Sequence, residues 1–377
     1  MTKEDLALLF VRGLGSRGAM HLVDHFGTAE AVYGASLRTL CDDAGLREAI
    51  AEQIVAKVGF EEAEREIAYC RKHRIIPLAA TDDDYPEPLR ETPDRPHVLF
   101  VRGSIDALHG NMLSVVGTRD MSPSGLHVTN MLVENLASRV DNLCIVSGLA
   151  YGVDAASHRA ALANGLRTVA VIAGVLPEVS PTAHNALAED ILKHGGALVS
   201  ELHSATKQRG IHYLARNRII AGMTMGTLVI ESPASGGSLA TADMADGYGR
   251  TVMAVPGRAT DSSSFGTNNL IRTGKARLVL TAEDIMEDMG WCSMPRKEVV
   301  EYDVASGVTE DALTPAQRAT LDAFDSAATL DWPMLMGATG LTMGELSMVV
   351  MELELMGLIR TLPGKRYERA TLFYNLA

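Results

Sequence analysis

The sequence predicts an α/β protein built on a doubly wound, mostly parallel β-sheet, with a helical domain before the sheet and a smaller helical domain after it. Short apolar runs alternate with helical patterns over residues 113–290, as in a parallel sheet with helices on both faces. The first part of the chain shows only helical patterns, and the last part shows three helical patterns and the pattern of a two-stranded hairpin. A chain of 377 residues is long enough for two or three domains. The predicted segments are a helical domain at 1–75, the α/β core at 76–290, a linker at 291–312 and a winged-helix domain at 313–377.

The clearest βαβ unit lies between residues 216 and 257. A buried strand is predicted at Gly226–Glu231, a glycine-rich turn at Ser235–Ser238, a helix at Leu239–Tyr248 and a second strand at Thr251–Val255. Glycines let a ligand approach the backbone, and the unpaired amides at a helix start favour an anion such as phosphate. A plain strand-to-helix connection, with Ser238 capping the helix, is the alternative. The turn matches neither GxGxxG nor GxxxxGK[ST], so we expect no nucleotide cofactor.

Three predicted strand ends carry small residues, hydroxyls or amides just before a helix. They are Gly117–Arg119 with the helix start at Ser122, Ser147–Ala150 before Asp154, and the turn at Ser235–Ser238. The carboxyl ends of parallel strands meet at one edge of a sheet, where ligands bind. A row of such groups suits a repeating phosphate backbone. The residues predicted to contact nucleic acid are Arg119, Ser122, Ser147, Gly148, Arg209, Tyr213, Arg216, Asn217, Arg218, Gly236, Gly237 and Ser238.

The charge distribution is compatible with this prediction although the formal net charge is -13. Residues 203–277 contain nine basic and four acidic side chains, and the local field matters more than the total for phosphate binding. Bases could stack on Arg216, Arg218 or Tyr213. Alternatively, the two arginines pair with acids at the sheet edge such as Glu201 or Glu231. For Asp154 we prefer the interpretation of a helix cap.

The N-terminal domain contains a Gly13–Gly15 turn between two helical patterns, which resembles a helix-hairpin-helix (SAM-like) unit. Backbone amides of such a hairpin can bind a phosphate. Residues 1–100, however, carry 12 basic and 18 acidic side chains. We therefore favour a tight helix–helix corner with no ligand.

The C-terminal domain has the order of a winged helix, whose third helix ordinarily reads DNA. Here that helix carries Glu345, Glu352 and Glu354 and no lysine or arginine. Phosphate should repel it, so a protein–protein or regulatory role is favoured. Lys365 and Arg366 in the predicted wing could still touch a nucleic-acid backbone.

The remaining sequence features concern compartment and metals. The four cysteines, Cys41, Cys70, Cys144 and Cys292, form no CxxC pair, and the histidines lack metal-ligand spacing. Reduced thiols and no metal site are expected. The acidic N-terminus does not resemble a signal peptide, and no long uncharged apolar run appears. We expect a cytoplasmic protein with no membrane partner.

Several motifs in order along the whole chain resemble the DNA-processing protein A (DprA/Smf) family. They are VVGTRDMSPSG, VSGLAYGVDAASHRAAL, ARNRIIAG, ESPASGGSLATADMA, AVPGR and NNLIRTGKA. The resemblance implies a bacterial protein with a Rossmann-like core that uses no nucleotide and has no established catalysis. It further implies a homodimer that binds and protects incoming single-stranded DNA and loads the RecA recombinase during natural transformation.

Within this resemblance, Arg119 matches a DNA-binding arginine of the family, Arg216–Arg218 match its RNR motif, and Gly236–Ser238 match its SG-S turn. The chain departs from the family at Tyr213-Leu214, where the family has an aromatic residue followed by proline. It also departs at Tyr151, where the family often has arginine, and at Ser180-Pro181, where it has YP. These changes make the predicted site less basic.

Two other functions compete with DNA binding. A nucleotide N-glycosidase on a related fold would carry a PGGxGTxxE turn, but SGGSLATAD has no glutamate in that register. A structural adaptor would act through the acidic winged helix, with DNA binding vestigial. We expect no enzymatic activity.

Overall fold

The computed structural model describes residues 1–291, 313–325, 329–356, 358–362 and 366–369. It divides into two compact units, Met1–Cys292 and Ser293–Ala377. The predicted linker, apart from Trp291, lies outside the described residues, as do Cys292 and Lys365.

Six helices form the first part of the N-terminal unit. They are α1 Lys3–Leu8, α2 Gly15–Phe26, α3 Ala29–Gly34, α4 Leu37–Asp42, α5 Glu48–Val55 and α6 Phe60–His73. Side chains of Thr2, Thr28 and Ser36 accept hydrogen bonds from first-turn amides and so fix three of the helix starts. Leu6 and Leu22 share one buried cluster with residues of the sheet. The helical segment is therefore packed into the same unit as the sheet.

The Gly13–Gly15 corner joins α1 to α2 with both of its glycines at positive φ. Gln53 of α5 binds the backbone of Arg12 on both sides, accepting from the amide and donating to the carbonyl. A side chain of the protein thus already satisfies part of the hairpin backbone.

Nine strands form the central sheet, in the spatial order β1-β2-β6-β5-β4-β3-β7-β8-β9. Their bounds are β1 Ile75–Ala79, β2 Val98–Gly103, β3 Asn111–Val116, β4 Leu143–Ser147, β5 Arg167–Val171, β6 Ala197–Ser200, β7 Gly226–Val229, β8 Thr251–Ala254 and β9 Arg277–Leu278. β1 and β2 pair antiparallel with each other, β2 also pairs antiparallel with β6, and every other pairing in the sheet is parallel. This confirms the predicted doubly wound, mostly parallel fold.

The helices that follow α6 in this unit are α7 Glu87–Arg90, α8 Pro123–Ala137, α9 Val153–Ala163, α10 Asn185–Lys193, α11 Ile211–Gly222, α12 Gly237–Gly247, α13 Phe265–Arg272 and α14 Ala282–Asp288. They cover both faces of the sheet. Leu228 and Val229 are adjacent in β7, belong to different hydrophobic clusters and are both buried. This is the pattern of a strand that is covered on both sides.

The winding direction of the sheet reverses at β3, which pairs in parallel with β4 on one side and β7 on the other. Such a switch point leaves a crevice at the carboxyl ends of the strands, because the helices that follow them go to opposite faces. The loops after β3, β4 and β7 are the three that carry the predicted ligand groups.

The C-terminal unit is a winged helix, as predicted. Its elements are β10 Leu330–Asp331, β11 Ile359–Leu362 and β12 Arg366–Arg369, with α15 Pro315–Asp322, α16 Trp332–Thr339 and α17 Met343–Leu355. The strands pair in the order β10-β12-β11. The two-residue β10 was not predicted, because it is too short to show a period. Leu335, Leu346 and Leu353 are fully buried in the core of the C-terminal unit.

Among the described residues, no single helix has the length and apolar composition needed to cross a membrane. Trp332–Thr339 and Met343–Glu354 meet those criteria only as a pair, and they are bent by 102° at the break between them.

Candidate nucleic-acid interface

A cavity of about 510 Å³ opens at the carboxyl ends of the central strands. The loops after β3, β4 and β7 all reach it, through Thr118, Ala150 and Gly236 respectively, and α11 forms another wall. Seven of the twelve predicted ligand residues line this cavity, namely Arg119, Tyr213, Arg216, Asn217, Gly236, Gly237 and Ser238. The cavity therefore brings together most of the groups that the sequence placed on three separate loops.

The start of α12 presents backbone amides to the cavity. Gly236 is the N-cap residue in an extended conformation, with φ 176, and no side chain caps the helix. The first turn contains no acidic residue, and Gly236 and Gly237 are exposed. Because the first amides of a helix have no partner within it, they are available to an anion.

Helix α12 begins at Gly237, two residues before the predicted start at Leu239, and the alternative in which Ser238 caps the helix is wrong. Ser238 lies inside the first turn, is 7% exposed and donates its hydroxyl hydrogen to Ser232 Oγ at 2.9 Å. The hydroxyl of Ser238 thus supports the turn that presents the amides.

Arg119 and Tyr213 face each other at the mouth of the cavity. The guanidinium carbon lies 5.7 Å from the centre of the tyrosine ring, within the range of a cation–π contact. The tyrosine hydroxyl is bonded to Ser180 Oγ at 2.9 Å and accepts from Gln208 Nε2 at 3.2 Å. Arg119 is exposed, and no carboxylate of the described chain lies within ion-pair distance of it. Its charge is available to a ligand.

Residues 216, 217 and 218 point in three directions, because consecutive residues of a helix lie about 100° apart. Asn217 faces the cavity and donates from Nδ2 to Gly237 O at 3.2 Å. Arg218 faces away and pairs with Glu201 at 2.5 Å, with Asp94 at 4.0 Å. The alternative of an internal ion pair is therefore what the structure shows for Arg218.

Arg216 forms the floor of the cavity. It is 5% exposed and donates from Nη1 to Val171 O. Burial lowers the pKa of its guanidinium, and the nearby Asp154 carboxylate opposes that shift. Burial likewise raises the pKa of Asp154, and Arg216 opposes it. The two buried groups thus influence each other electrostatically beneath the ligand space, although no ion pair within 4.0 Å joins them.

The loop after β4 holds this pair in place but does not expose its own polar groups. Gly152, not Asp154, is the N-cap of α9, so the prediction of Asp154 as the cap is wrong. The carboxylate of Asp154 accepts a hydrogen bond from Ala150 N at 3.4 Å. Ser147 is fully buried and donates to Val115 O at 2.7 Å. Neither Ser147 nor Gly148 lines the cavity.

Ser122 lies at a different cavity, of about 910 Å³, on the far side of β7. It caps α8, as predicted, by accepting from Gly125 N at 3.0 Å. The carboxylate of Glu231 accepts from both the amide and the hydroxyl of Ser122. An internal carboxylate therefore occupies the position that a phosphate would take at this helix start.

Ion pairs neutralise much of the basic segment at 203–277. Besides Arg218, the paired cations are Arg250 with Glu91, Lys275 with Asp243 and Arg277 with Asp288. Arg209 is exposed and immediately precedes Gly210, which lines the central cavity. Positive charge at the cavity thus comes from Arg119 and the buried Arg216, with Arg209 beside it.

Some residues of the cavity were not predicted. Gly210 just before α11, Leu214 on α11, Thr241 on α12 and Asp154 in the floor also line it. Gly210, Tyr213, Leu214 and Asn217 are spaced i, i+3, i+4 and i+7. A helical period anchored on Tyr213 would therefore have found Gly210 and Leu214. No local pattern marks Asp154, whose position depends on the contact between two distant loops.

The family model described as "DNA recombination-mediator protein A" matches residues 77–290, and the "DprA winged helix domain" model matches residues 305–365. Protein Smf of Escherichia coli is 36% identical over 293 residues, which are 78% of this chain and 76% of that protein. The DNA processing protein DprA of Streptococcus pneumoniae is 39% identical over 207 residues, 55% of this chain and 72% of that protein.

Solved structures give the same result. An X-ray structure of DNA processing protein A from Streptococcus pneumoniae superposes with a TM-score of 0.67 and 31% identity, covering 77% of this chain and 98% of that one. A structure of the protein from Helicobacter pylori, at 24% identity and a TM-score of 0.51, covers 57% of this chain and 94% of that one and shares the fold. The first family model alone spans more than half of the sequence. The chain belongs to the DNA recombination-mediator protein A family, whose members are named DprA or Smf.

Proposed function

We propose that this chain is a recombination mediator that binds single-stranded DNA in the cavity at the carboxyl ends of β3, β4 and β7. The observation that carries the proposal is the meeting of the uncapped α12 start, the unpaired Arg119 and the Tyr213 ring around one cavity. In support, the structure of the Helicobacter pylori relative is described in terms of a unique single-stranded DNA binding mode.

The phosphate backbone would contact two kinds of donor. The amides at Gly237 and Ser238 supply hydrogen bonds and the positive end of the α12 dipole. The exposed guanidinium of Arg119 supplies a full charge, and planar guanidinium groups match phosphate oxygens well. Arg216 adds a buried charge to the floor without leaving its bond to Val171. The strand is thus held mainly through groups that read no base.

An unpaired base would stack on the ring of Tyr213. Its hydroxyl is bonded on two sides, to Ser180 and Gln208, so the ring is held in one orientation. Aromatic stacking contributes about 1–3 kcal/mol per base in single-strand binding and tolerates any sequence. A duplex keeps its bases paired and cannot offer one to a concave cavity of about 510 Å³. The geometry therefore favours single strands.

The finer roles of the family are part of the same proposal. We infer that the protein protects incoming single strands, transfers them to a RecA-type recombinase in the cytoplasm during natural transformation, and does so as a homodimer. The outer edge of β9 supports the dimer: β9 pairs only with β8 among the described strands, and Leu278 and Leu280 beside it are 45% and 61% exposed. An apolar unpaired strand edge is a ready surface for a second copy.

The proposal assigns no catalysis to the cavity. A nucleotide N-glycosidase would need an accessible carboxylate beside the ribose, and Asp154, which lines the cavity, is 8% exposed and lies beside Arg216. Incubation with each nucleoside monophosphate should release no free base. If the parent protein released free base and the Asp154→Asn variant did not, the enzymatic function would be established instead.

The binding test uses fluorescence anisotropy of labelled oligonucleotides with the full chain. A single-stranded oligothymidine should bind at least about tenfold more tightly than a duplex of equal length. Arg119→Ala should weaken single-strand binding and lower the slope of log affinity against log salt by about one, because one phosphate contact is lost. Tyr213→Ala should weaken binding without changing that slope.

Arg139→Ala is the matched control. It removes the same charge from an exposed arginine, paired with Glu283, just beyond the opposite end of α8. Its affinity should stay within about twofold of the parent. Equal losses in Arg119→Ala and Arg139→Ala, or equal affinity for duplex and single strand, would contradict the proposed site.

A further inference from the structure

The outer face of α17 in the C-terminal unit carries an apolar stripe. Met348 and Met351 are 60% and 58% exposed, and with Gly344 they follow the spacing i, i+4, i+7 of one helix face. The opposite face packs into the core of the unit through Leu346, Val349, Val350 and Leu353. The methionines are therefore not needed for the fold of this unit, and their side chains lie in solvent.

Glutamates border this stripe on both sides. Glu345 and Glu352 are seven residues apart, so they lie above one another along one edge, and Glu354 lies on the other. Glu345 accepts from the amide and hydroxyl of Thr342, and these bonds, the hydroxyl first, lower the pKa of its carboxyl. Glu352 accepts from Gln317 Nε2 at 2.8 Å. Hydrogen bonds thus hold two of the carboxylates in position.

This surface excludes two occupants by charge. In a winged helix this helix is the one that ordinarily enters a DNA groove, but three glutamates and no cation on α17 would repel phosphates. A second copy of α17 would bring carboxylates against carboxylates, and like charges juxtaposed at an interface repel each other. The surface instead complements an apolar stripe with a basic border.

We propose that the outer face of α17 docks a basic amphipathic helix of a partner protein. Met348 and Met351 contact the apolar side of that helix, and its lysines or arginines pair with Glu345, Glu352 and Glu354. Methionine suits this role because its unbranched, polarizable side chain adapts to many apolar shapes, and helix-on-surface recognition uses this anchor spacing. The proposal goes beyond the proposed DNA binding, which is assigned to the cavity of the N-terminal unit.

The probe is a fluorescein-labelled helical peptide of leucine and lysine, with leucines at i, i+3, i+4 and i+7. Its anisotropy is measured with the full chain. Two control peptides are used. One has the same composition in scrambled order, and the other has glutamate in place of every lysine. The amphipathic peptide should bind at least about tenfold more tightly than either control, because neither control offers both features of the complementary surface.

The double substitution Met348→Ser with Met351→Ser should weaken binding of the amphipathic peptide at least about tenfold. Met225→Ser is the matched control, since Met225 is 50% exposed but lies in the N-terminal unit. Its affinity for the peptide should not change. Methyl NMR signals of Met348 and Met351 should shift when peptide is added, and that of Met225 should not.

Trp332 reports whether the variants keep their fold. Its ring packs against the core of the unit and meets that of Tyr367 edge-on at 5.5 Å. A variant that keeps the fold should therefore leave the Trp332 emission, measured in a Trp291→Phe background, unchanged. Should the double variant alter that emission, Glu354→Lys replaces it as the decisive variant. Because this substitution reverses an exposed charge, it should weaken binding of the lysine peptide and strengthen binding of the glutamate peptide.

Three results would overturn the proposal. One is absence of peptide binding, or equal binding of the scrambled peptide, which would show attraction by net charge alone. The second is unchanged binding in the folded double variant, which would place the peptide elsewhere. The third is binding of a double-stranded oligonucleotide that the double variant abolishes, which would show that α17 recognises nucleic acid.

Discussion

The guanidinium of Arg216 lies directly beside the backbone of Gly148, so close that a β-carbon on Gly148 would be 1.8 Å from Nη1. Only glycine, which has no β-carbon, leaves room for the guanidinium at this position. The arginine uses it to reach Val171 O on the neighbouring strand. Gly148 was predicted to offer its amide to a ligand, but the structure shows that it makes room for the charge in the cavity floor.

Replacement of Gly148 by alanine should therefore destabilise the protein. The added methyl group must displace a buried guanidinium, and overpacking of this kind costs about 1–3 kcal/mol. The free energy of unfolding from urea titration measures the effect. Gly247→Ala is the matched control, because nothing lies within 4 Å of the added carbon at that helix end. Equal stability of the two variants would mean that Arg216 can leave its position at no cost.

Arg216→Met should destabilise the protein by about 1–3 kcal/mol, since it removes the donor to Val171 O and the charge that favours the ionised form of Asp154. The double variant Arg216→Met with Asp154→Asn should recover part of that loss. A double-mutant cycle from urea unfolding gives the coupling energy between the two residues. Additive losses would show that the two charges do not interact in the folded protein.

The same pair predicts a dependence on pH. The pKa of Asp154 is raised in the folded state above its ordinary value of 3.8, so the folded protein holds the carboxyl proton more tightly than the unfolded chain does. The contribution of Asp154 to stability therefore falls as pH rises from the unfolded-state pKa to the folded-state pKa. Without Arg216, which opposes the shift, the pKa of Asp154 should rise further. The stability deficit of Arg216→Met should accordingly shrink as pH is lowered below neutrality, whereas that of the double variant should not.

His158 gives the opposite sign. It is fully buried, and its Nδ1 is 2.6 Å from Thr168 Oγ1, whose hydrogen goes to Ile145 O. Nδ1 of the imidazole is therefore the donor to Thr168 Oγ1. Burial first, and then the charge of Arg216, lower the pKa of His158 to about 3. Because the unfolded chain takes up this proton near pH 6.5, stability from His158 is complete above that pH and is lost below it.

His158→Asn removes this titration and keeps a donor near Thr168. The variant should be less stable than the parent at pH 7.5 because of the smaller side chain. As pH falls from about 6.5, the difference should narrow by about 1.4 kcal/mol for each pH unit. Urea unfolding at several pH values measures the two curves. Parallel curves would mean that His158 titrates normally in the folded protein.

Much of the fold could be predicted from local patterns, because each strand of the core is a short apolar run between turn residues. The strands predicted at Gly226–Glu231 and Thr251–Val255 begin at the residues where β7 and β8 begin, and the structure ends them at Val229 and Ala254. The positions of the arginines could not be predicted in this way. Arg216 and Arg218 look alike in sequence, but helix geometry turns one toward Gly148 and the other toward Glu201. Which acid or backbone group they meet depends on residues that are distant along the chain.

The proposed homodimer depends on the outer edge of β9. Leu278→Lys with Leu280→Lys should leave a monomer, because charges on an unpaired strand edge oppose the addition of another strand. Light scattering should give a mass near 40.3 kDa for this variant and twice that mass for the parent. Phe265→Lys, at a residue 44% exposed outside this edge, is the matched control and should remain dimeric. A parent that is monomeric at all concentrations, or a double variant that stays dimeric, would show that β9 is not the interface.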